Sequence, residues 1–472
     1  MENKSSRGTY LLKNTAIFFI GNLATKFISF FLVPLYTNVL NTAEYGTVDL
    51  VTTISTVLAP IIILNIGEGV MRFALDKDAD HDKIMSIGLT VFAFSLIAGL
   101  AIVPISSVFK TISEYSWYIY FYTVTLAGSQ LFLCYLRGKE KLFFYTLGNI
   151  VHTLGVALFN ILFLLVFHWG IKGYFLAYIL ANAVTILFAA SAGKVYQVLS
   201  HYNYDSHLAK LMYRYSVVFI PYNFMWWITH SSDRIMVTAM IGASANGIYA
   251  ISYKIPTLIQ SFTTVFNQAW GYSAIRENDS SDRDEYFNTV FQGFVGGSSI
   301  FGIGLLAIMK PFLKIYVEES YYEAWKYTPY LIVGYVFLTA ATFLSTAYNV
   351  NKDSKGFLFS STCGAIINIV LNYLLIPVMG VSGAAAATCV SYIGVFIYIA
   401  VDTRRYQKLD ILNTRCVVGC VILLLAAGAL FIDSIAGQIF LWCCFAAEVI
   451  LYKKVWLPIV LDLIKKIKEK KK

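Results

Sequence analysis

About fourteen apolar stretches, most of them roughly 18 to 25 residues long, run from Leu11 to about Tyr452 with short polar breaks between them. The hydrocarbon core of a bilayer is ~30 Å thick, so ~20 apolar residues at a rise of 1.5 Å each will cross it. No soluble core explains fourteen such segments in 472 residues. They fall at about 11–36, 47–71, 84–108, 115–136, 143–167, 173–193, 211–241, 246–270, 286–309, 328–350, 356–378, 382–401, 415–432 and 436–452. The pattern predicts an all-α polytopic membrane protein of about 14 transmembrane helices.

The order within the pattern points to a duplication. Leu40–Gly46 can be laid on Ile241–Gly247 at an offset of 201 residues. Both read as tight outer hairpins with a glycine opening the next helix. Further on, Gly170-Ile171-Lys172-Gly173 matches Gly380-Val381-Ser382-Gly383 at an offset of 210, each preceded by a helix bearing asparagine (Asn160; Asn368 and Asn372). Helices 1–6 and 7–12 therefore read as two six-helix bundles, spanning 1–205 and 206–408. Six is even, so the copies run the same way and are parallel repeats about an axis along the membrane normal. Residues 409–472 add two extra helices and a basic tail. From Trp456 on, that tail alternates Leu and Ile with Lys, as an amphipathic helix on a membrane surface does. Such paired bundles suit alternating access to a midplane site. Pro60, Pro221 and Pro256 mark breaks in helices 2, 7 and 8.

Composition agrees: 58% of residues are hydrophobic, 13% charged, and the mean hydropathy is +0.66. The net charge of +9 is explained by its placement rather than by nucleic acid. With the N-terminus inside, 28 Lys and Arg fall on cytoplasmic segments and five on outer loops. That bias places the chain in the cytoplasmic membrane with both termini in the cytoplasm, and its basic face attracts anionic membrane lipids. The seven cysteines all lie in spans with no Cys-x-x-Cys pair, as small packing residues do. The first apolar run is too long for a cleavable signal and is itself a span.

Four charges fall deep inside apolar segments: Lys26 in the first, Asp233 and Arg234 in the seventh, and Lys254 in the eighth. A charge near a span centre costs about 2.5–3.5 kcal/mol, so each is expected to face water or a partner. By residue count all four lie ~11–15 Å below the outer ends of their helices, at one level. Each belongs to a polar stripe at helical spacing. Asn14, Asn22, Lys26 and Ser29 lie close to one face, and Lys254, Thr257, Ser261, Thr264 and Gln268 on another. Trp226, His230, Asp233 and Val237 share a line on helix 7. Helix 2 adds Asp49 and, near its inner end, Glu68 and Arg72 at i and i+4, which read as a structural or gating pair. Net positive charge in a cavity points to an anionic substrate group, with phosphate or pyrophosphate the natural candidate. A bland alternative is that Asp233 neutralises Arg234 or Lys254 and touches no substrate. Tyr249, Tyr253 and the tryptophans beside these stripes suit stacking on sugar faces or simple packing.

Several functions are excluded by what the chain lacks. There is no phosphate-binding Gly-x-x-x-x-Gly-Lys-Ser/Thr loop, no His-Glu-x-x-His and no ligand-spaced Cys/His set, so no metal or cofactor is expected. The longest outer segment, about Lys310 to Lys326, is too short for a catalytic domain. An enzyme is not expected.

The residues then resemble a known superfamily, the multidrug/oligosaccharidyl-lipid/polysaccharide exporters, and within it the Wzx-type polysaccharide-unit flippases. The matching pieces are Lys13-Asn14-Thr15, Pro34-Leu35-Tyr36, Glu44-Tyr45-Gly46, Asp233-Arg234, Gly247-Ile248-Tyr249 and Lys254-Ile255. The resemblance implies translocation of undecaprenyl-pyrophosphate-linked oligosaccharide units for capsule, exopolysaccharide or O-antigen synthesis, beside other polysaccharide assembly proteins. By similarity Lys26, Arg234 and Lys254 would face the pyrophosphate. Lipid II flippases of the superfamily have arginines near these helices, whereas two of the three cations here are lysines. Coupling to a proton or sodium gradient through Asp233, Asp49 or Glu68 stays open. The alternatives are a cation-coupled multidrug exporter, for which an acidic cleft is expected, a lipid II flippase, and last a membrane-embedded glycan polymerase.

Overall fold

The computed structural model describes residues 25–455 other than 77, 278, 279, 281 and 352, together with 457. All fourteen apolar segments are mainly helical where described, with short breaks such as those at 63–65 and 253–255, and no strand occurs among these residues. The chain opens with α1, helical over 25–39. It continues through α2 (Thr42–Ile62), α3 (Ile66–Ala74), α4 (His81–Gly99), α5 (Ile102–Ser107), α6 (Ser116–Gly138) and α7 (Leu142–Asn160). Next come α8 (Gly170–Gly193), α9 (Val195–Ser200), α10 (Ser206–Val217), α11 (Phe219–Met240), α12 (Ala243–Ser252) and α13 (Pro256–Arg276). The last are α14 (Arg283–Tyr316), α15 (Thr328–Val350), α16 (Ser354–Met379), α17 (Val381–Asp402), α18 (Thr414–Ala429) and α19 (Ile435–Leu451). Nine helical stretches among the described residues are long and apolar enough to cross a membrane, and α18 and α19 are shorter apolar helices. The backbone reason is general: in hydrocarbon every N–H and C=O must be satisfied within the segment, and a helix does so.

Internal contacts divide the chain into two compact units. One comprises the residues up to Trp227 with Gly242–Gly247; the other comprises Ile228–Ile241 and everything from Ile248 on. The division runs through α11 rather than through the loop between α9 and α10. The first unit is built on aliphatic residues of α2, α3, α4 and α6, among them Ile66, Val70, Met85 and Leu131. The second has an aromatic core in which Phe266 stacks on Phe294 with centroids 3.7 Å apart and Trp270 on Phe343 at 4.7 Å.

The pattern of burial repeats along the chain. The spans containing α6 and α15 are 72% and 78% buried and sit centrally in their units, whereas those containing α7 and α16 are each 28% buried and expose apolar side chains. The span from α4 is 39% buried, but α14 reaches 67%, because α18 and α19 pack against it. Both matched glycine turns adopt positive φ, 53° at Gly170 and 59° at Gly380, a region open to glycine at little cost.

The other matched pair forms a contact. Asn41 caps α2, accepting from the Glu44 amide while the Glu44 carboxylate accepts from the Asn41 amide, a capping box. The start of α2 then crosses the start of α12. A Cβ on Gly46 would stand 1.8 Å from the Ala243 carbonyl oxygen, and one on Gly247 would stand 2.0 Å from that of Thr42. The two contacts are reciprocal at the 201-residue offset seen in the sequence. Small residues let helix backbones approach this closely. Thr42 and Ser244 hydroxyls hydrogen-bond at 2.7 Å, and the buried Asn246 amide donates to the Gly46 carbonyl at 3.0 Å.

The proline breaks take different forms. Pro60 lies inside α2, which ends two residues later; Leu64 and Asn65 turn through left-handed φ values and α3 begins. Pro256 is the first residue of α13, where no amide is needed. Pro221 is the third residue of α11.

Gly46→Ala or Gly247→Ala forces side chain into backbone. Each is expected to lower thermal stability by roughly 1–3 kcal/mol or more, whereas Gly271→Ala, with nothing within 4 Å, leaves it unchanged or slightly higher; unfolding of the purified protein in detergent checks all three. A pH effect follows from Asp205, which caps α10. The Leu208 amide it accepts from holds its carboxyl below the usual aspartate range, with the His207 amide and Lys83 adding to the effect. A depressed folded pKa stabilises above the unfolded value, and that stability is lost as pH falls through the folded one. Hydrogen exchange over 206–217 is therefore expected to rise on acidification in the wild type, and to lose that dependence in Asp205→Asn.

Candidate functional site

In the second unit, helical spacing brings Thr229, Asp233 and Val237 to one buried face of α11. Asp233 is fully buried, so its carboxylate needs donors. Three hydroxyls supply them to Oδ2: Tyr249 at 2.7 Å, Tyr253, and Thr388 at 3.0 Å. Tyr249 on α12 and Tyr253 just past its end are four residues apart, one helical turn, so both reach the same oxygen. Thr388 arrives from α17. Oδ1 accepts from the Arg234 amide at 2.9 Å. Hydrogen bonds to a charged acceptor are roughly twice as strong as neutral ones.

A second layer of oxygens continues from Thr388. On α16, the Asn368 amide donates to the Thr388 hydroxyl at 3.3 Å, and Asn372 donates to Asn368 Oδ1 at 2.9 Å. Ser232 donates to the same Asn368 oxygen at 2.8 Å. Both asparagines are buried, and Asn372 Oδ1 accepts no hydrogen bond. Beside them His230 Nδ1 and the Tyr392 hydroxyl hydrogen-bond at 2.6 Å. Arg234 turns its guanidinium over the Tyr253 ring, 4.7 Å from the centroid, a cation–π contact on the back of an Asp233 donor.

The other expected site residues are spread over both units. Lys26 is exposed on α1 in the first unit. Lys254 is half-buried in the second, in the break between α12 and α13 rather than on a continuous helix. Thr257 and Ser261 follow on the half-buried face of α13, and their hydroxyls donate to the Lys254 and Thr257 carbonyls. Gln268 lies on α13, but its side chain, Asn22, and the tail apart from Leu457 lie outside the described residues.

Asp49 is buried in the first unit, with the Asn246 amide 3.4 Å from its Oδ2 at the α2–α12 crossing. The expected Glu68–Arg72 pair does not form: Arg72 bonds Asp76 at 2.6 Å instead. The break after Pro60 makes α3 a separate short helix, with Glu68 in its first turn and Arg72 in its last, each at the helix end its charge favours. Of the two readings for Tyr249 and Tyr253, the structure favours packing: both are buried, with their hydroxyls committed to Asp233. Trp227 donates to the Thr53 carbonyl at 3.1 Å. Sequence reasoning found Asp233 but missed Thr388, Asn368 and Asn372 as its companions. The spacing of Asn368 and Asn372 inside an apolar span was the available signal.

This fold, with its long apolar helices, is that of a multi-pass membrane protein, and the chain belongs to the polysaccharide biosynthesis protein family, whose model matches residues 11–270. Among curated proteins, a probable lipid II flippase MurJ of Thermotoga maritima is 30% identical over 132 residues, 26% of this chain and 28% of that protein. An uncharacterized membrane protein, MJ1375, of Methanocaldococcus jannaschii is 24% identical over 213 residues, 45% of this chain and 48% of that one. The matched stretches thus span less than half of either relative. Among solved structures, lipid II flippase MurJ in an inward closed conformation superposes with a TM-score of 0.68 at 14% identity, covering 96% of this chain and all of that one. An inward-facing multidrug resistance MATE family transporter of the MOP superfamily gives 0.66 at 13% identity, covering 83% and 94%. These two share the fold.

Thr388→Val removes one of three hydroxyls from a buried carboxylate and is expected to cost about 1–3 kcal/mol of stability. Thr264→Val, on the exposed face of α13 where the hydroxyl bonds only the Gln260 carbonyl, should change it by less than about 0.5 kcal/mol. Thermal unfolding of both variants beside the wild type checks this.

Proposed function

We propose that this protein is a flippase. It carries undecaprenyl-pyrophosphate-linked oligosaccharide repeat units across the cytoplasmic membrane by alternating access, for capsule, exopolysaccharide or O-antigen synthesis. The observation that carries the reading is the presence of three cations within apolar segments, Lys26, Arg234 and Lys254, in a chain of the polysaccharide biosynthesis family. A cation held in hydrocarbon costs free energy that a passing pyrophosphate offsets. The prenyl chain stays in lipid while the headgroup crosses. Both termini face the cytoplasm, in line with the 28 to five bias of basic residues. The repeats run 1–205 and 206–408, with 409–472 appended, and other polysaccharide assembly proteins supply and consume the glycan unit.

The coupling ion is taken at Asp233. Its carboxylate accepts from the Thr388 hydroxyl, the Asn368 amide nitrogen donates to Thr388 and that of Asn372 to Asn368 Oδ1, and one acceptor in this network, Asn372 Oδ1, has no donor. Such a set suits a hard monovalent cation, and the carboxylate alone suits a proton. A gradient of either ion bound here would drive the cycle.

The test uses purified protein in proteoliposomes with a fluorescent prenyl-pyrophosphate oligosaccharide. Headgroup access to an external quencher is followed with and without a sodium or proton gradient. Protein-dependent crossing is expected, and the gradient that accelerates it names the ion. Lys26→Ala with Lys254→Ala should abolish crossing while membrane insertion stays intact; normal crossing by that double variant overturns the role of the cations. Transport of a cationic dye instead of the glycan lipid would replace the flippase with the drug exporter, and transport of lipid II alone would move it to that substrate.

A further inference from the structure

Besides Asp233 and Asp49, a third buried carboxyl lies far along the chain, in the appended helices. Glu448 on α19 is 0% exposed, and neither of its oxygens has a hydrogen-bond partner. Among the described residues no lysine, arginine or histidine pairs with it. Its slot is cleared by glycines on two neighbouring helices. On α18, a Cβ at Gly419 would stand 2.8 Å from Glu448 Oε1 and 3.1 Å from the Tyr452 hydroxyl. On α14, a Cβ at Gly296 would stand 2.4 Å from the Tyr452 ring.

The groups facing the carboxyl are few. Ser299 faces it from α14, its hydroxyl also buried and without a geometric partner. Cys416 and Cys420 face it from α18, and Cys444 and Tyr452 from its own side. The nearby cation, Arg415, turns to Gln292 Oε1 at 3.4 Å. The contrast with Asp233 is informative. Asp233 is ringed by donors and suits an anion. Glu448 has no such ring, and an ionised carboxylate in that position would cost several kcal/mol. A neutral carboxyl has one O–H to give and an acceptor oxygen to offer, the complement of a lone serine hydroxyl.

We propose that Glu448 is a proton-binding site, separate from Asp233, whose occupancy seats α18 and α19 on α14. The proton comes from water and adds to one carboxylate oxygen. The neutral acid shares hydrogen bonds with Ser299 and packs against Gly419. Loss of the proton leaves a bare anion in the slot, and the helix pair loosens to let water reach it. The occupant is a proton rather than a metal ion, because among the described residues no three His, Cys, Asp or Glu side chains converge as a metal site would require.

The experiment uses the full chain in lipid nanodiscs. Infrared spectra near neutral pH are expected to show the carbonyl stretch of a protonated carboxylic acid in the wild type that is lost in Glu448→Gln. A spectrum with no such difference overturns the proposal. Where Glu448→Gln does not fold, Ser299→Ala serves: the band should shift in frequency, and an unshifted band overturns the pairing. Hydrogen exchange over 414–452 reads the second half. As pH is raised it should increase in the wild type relative to Glu448→Gln, which keeps the neutral form; equal exchange at every pH removes the link between the proton and helix seating. None of these readouts depends on the transported substrate.

Discussion

A carboxylate inside a membrane protein must find donors, and the second unit is organised around that requirement at Asp233. Its oxygens draw together α11, α12 and α17 through Tyr249, Tyr253 and Thr388, and Thr388 extends the network to Asn368 on α16. Without the acid those hydroxyls and amides would be the costly groups, since buried polar atoms in hydrocarbon have no water to turn to. The placement of Arg234 follows from the same arrangement. Its main chain donates to Asp233 and its side chain lies over the tyrosine that donates to Asp233, so the charge stays beside the network without quenching it.

The first unit has no equivalent acid cluster among its described residues. Its buried acid, Asp49, sits about two turns into α2, near the side-chain amide of Asn246. The two units, read as copies of one helical plan, thus carry their polar chemistry at different places. The plan itself persists in the repeated alternation of deeply buried and outward-facing spans, and in the paired positive-φ turns at Gly170 and Gly380. The departure at α14 has a local cause, because two further helices cover it.

Much of this was legible in the sequence, and the limits have physical reasons. The helical, membrane-embedded class follows from hydropathy, because the bilayer permits few other solutions. The offset of 201 residues was visible because Gly46 and Gly247 make a contact only glycine allows. Depth along each helix singled out Asp233, Arg234 and Lys254, since depth is a matter of counting residues. Which partners a side chain meets depends on helix rotation and packing, and counting does not supply these. So Glu68 and Arg72 read as a pair, but Asp76, four residues to the other side of Arg72, took the arginine. For Tyr249 and Tyr253 the sequence left stacking and packing both open, and only the occupied hydroxyls decide between them.

The crossing of α2 over α12 bears on how such a chain can change over time. In most packed interfaces a larger side chain on one side can be accommodated by a smaller one opposite. At Gly46 and Gly247 that exchange is closed, because each glycine faces a main-chain carbonyl, and a carbonyl cannot be made smaller. Neither position can drift by compensation from the other. After a duplication the two halves would be free to diverge nearly everywhere else while remaining bound to the same residue at this one point, which is where their common ancestry would stay readable longest.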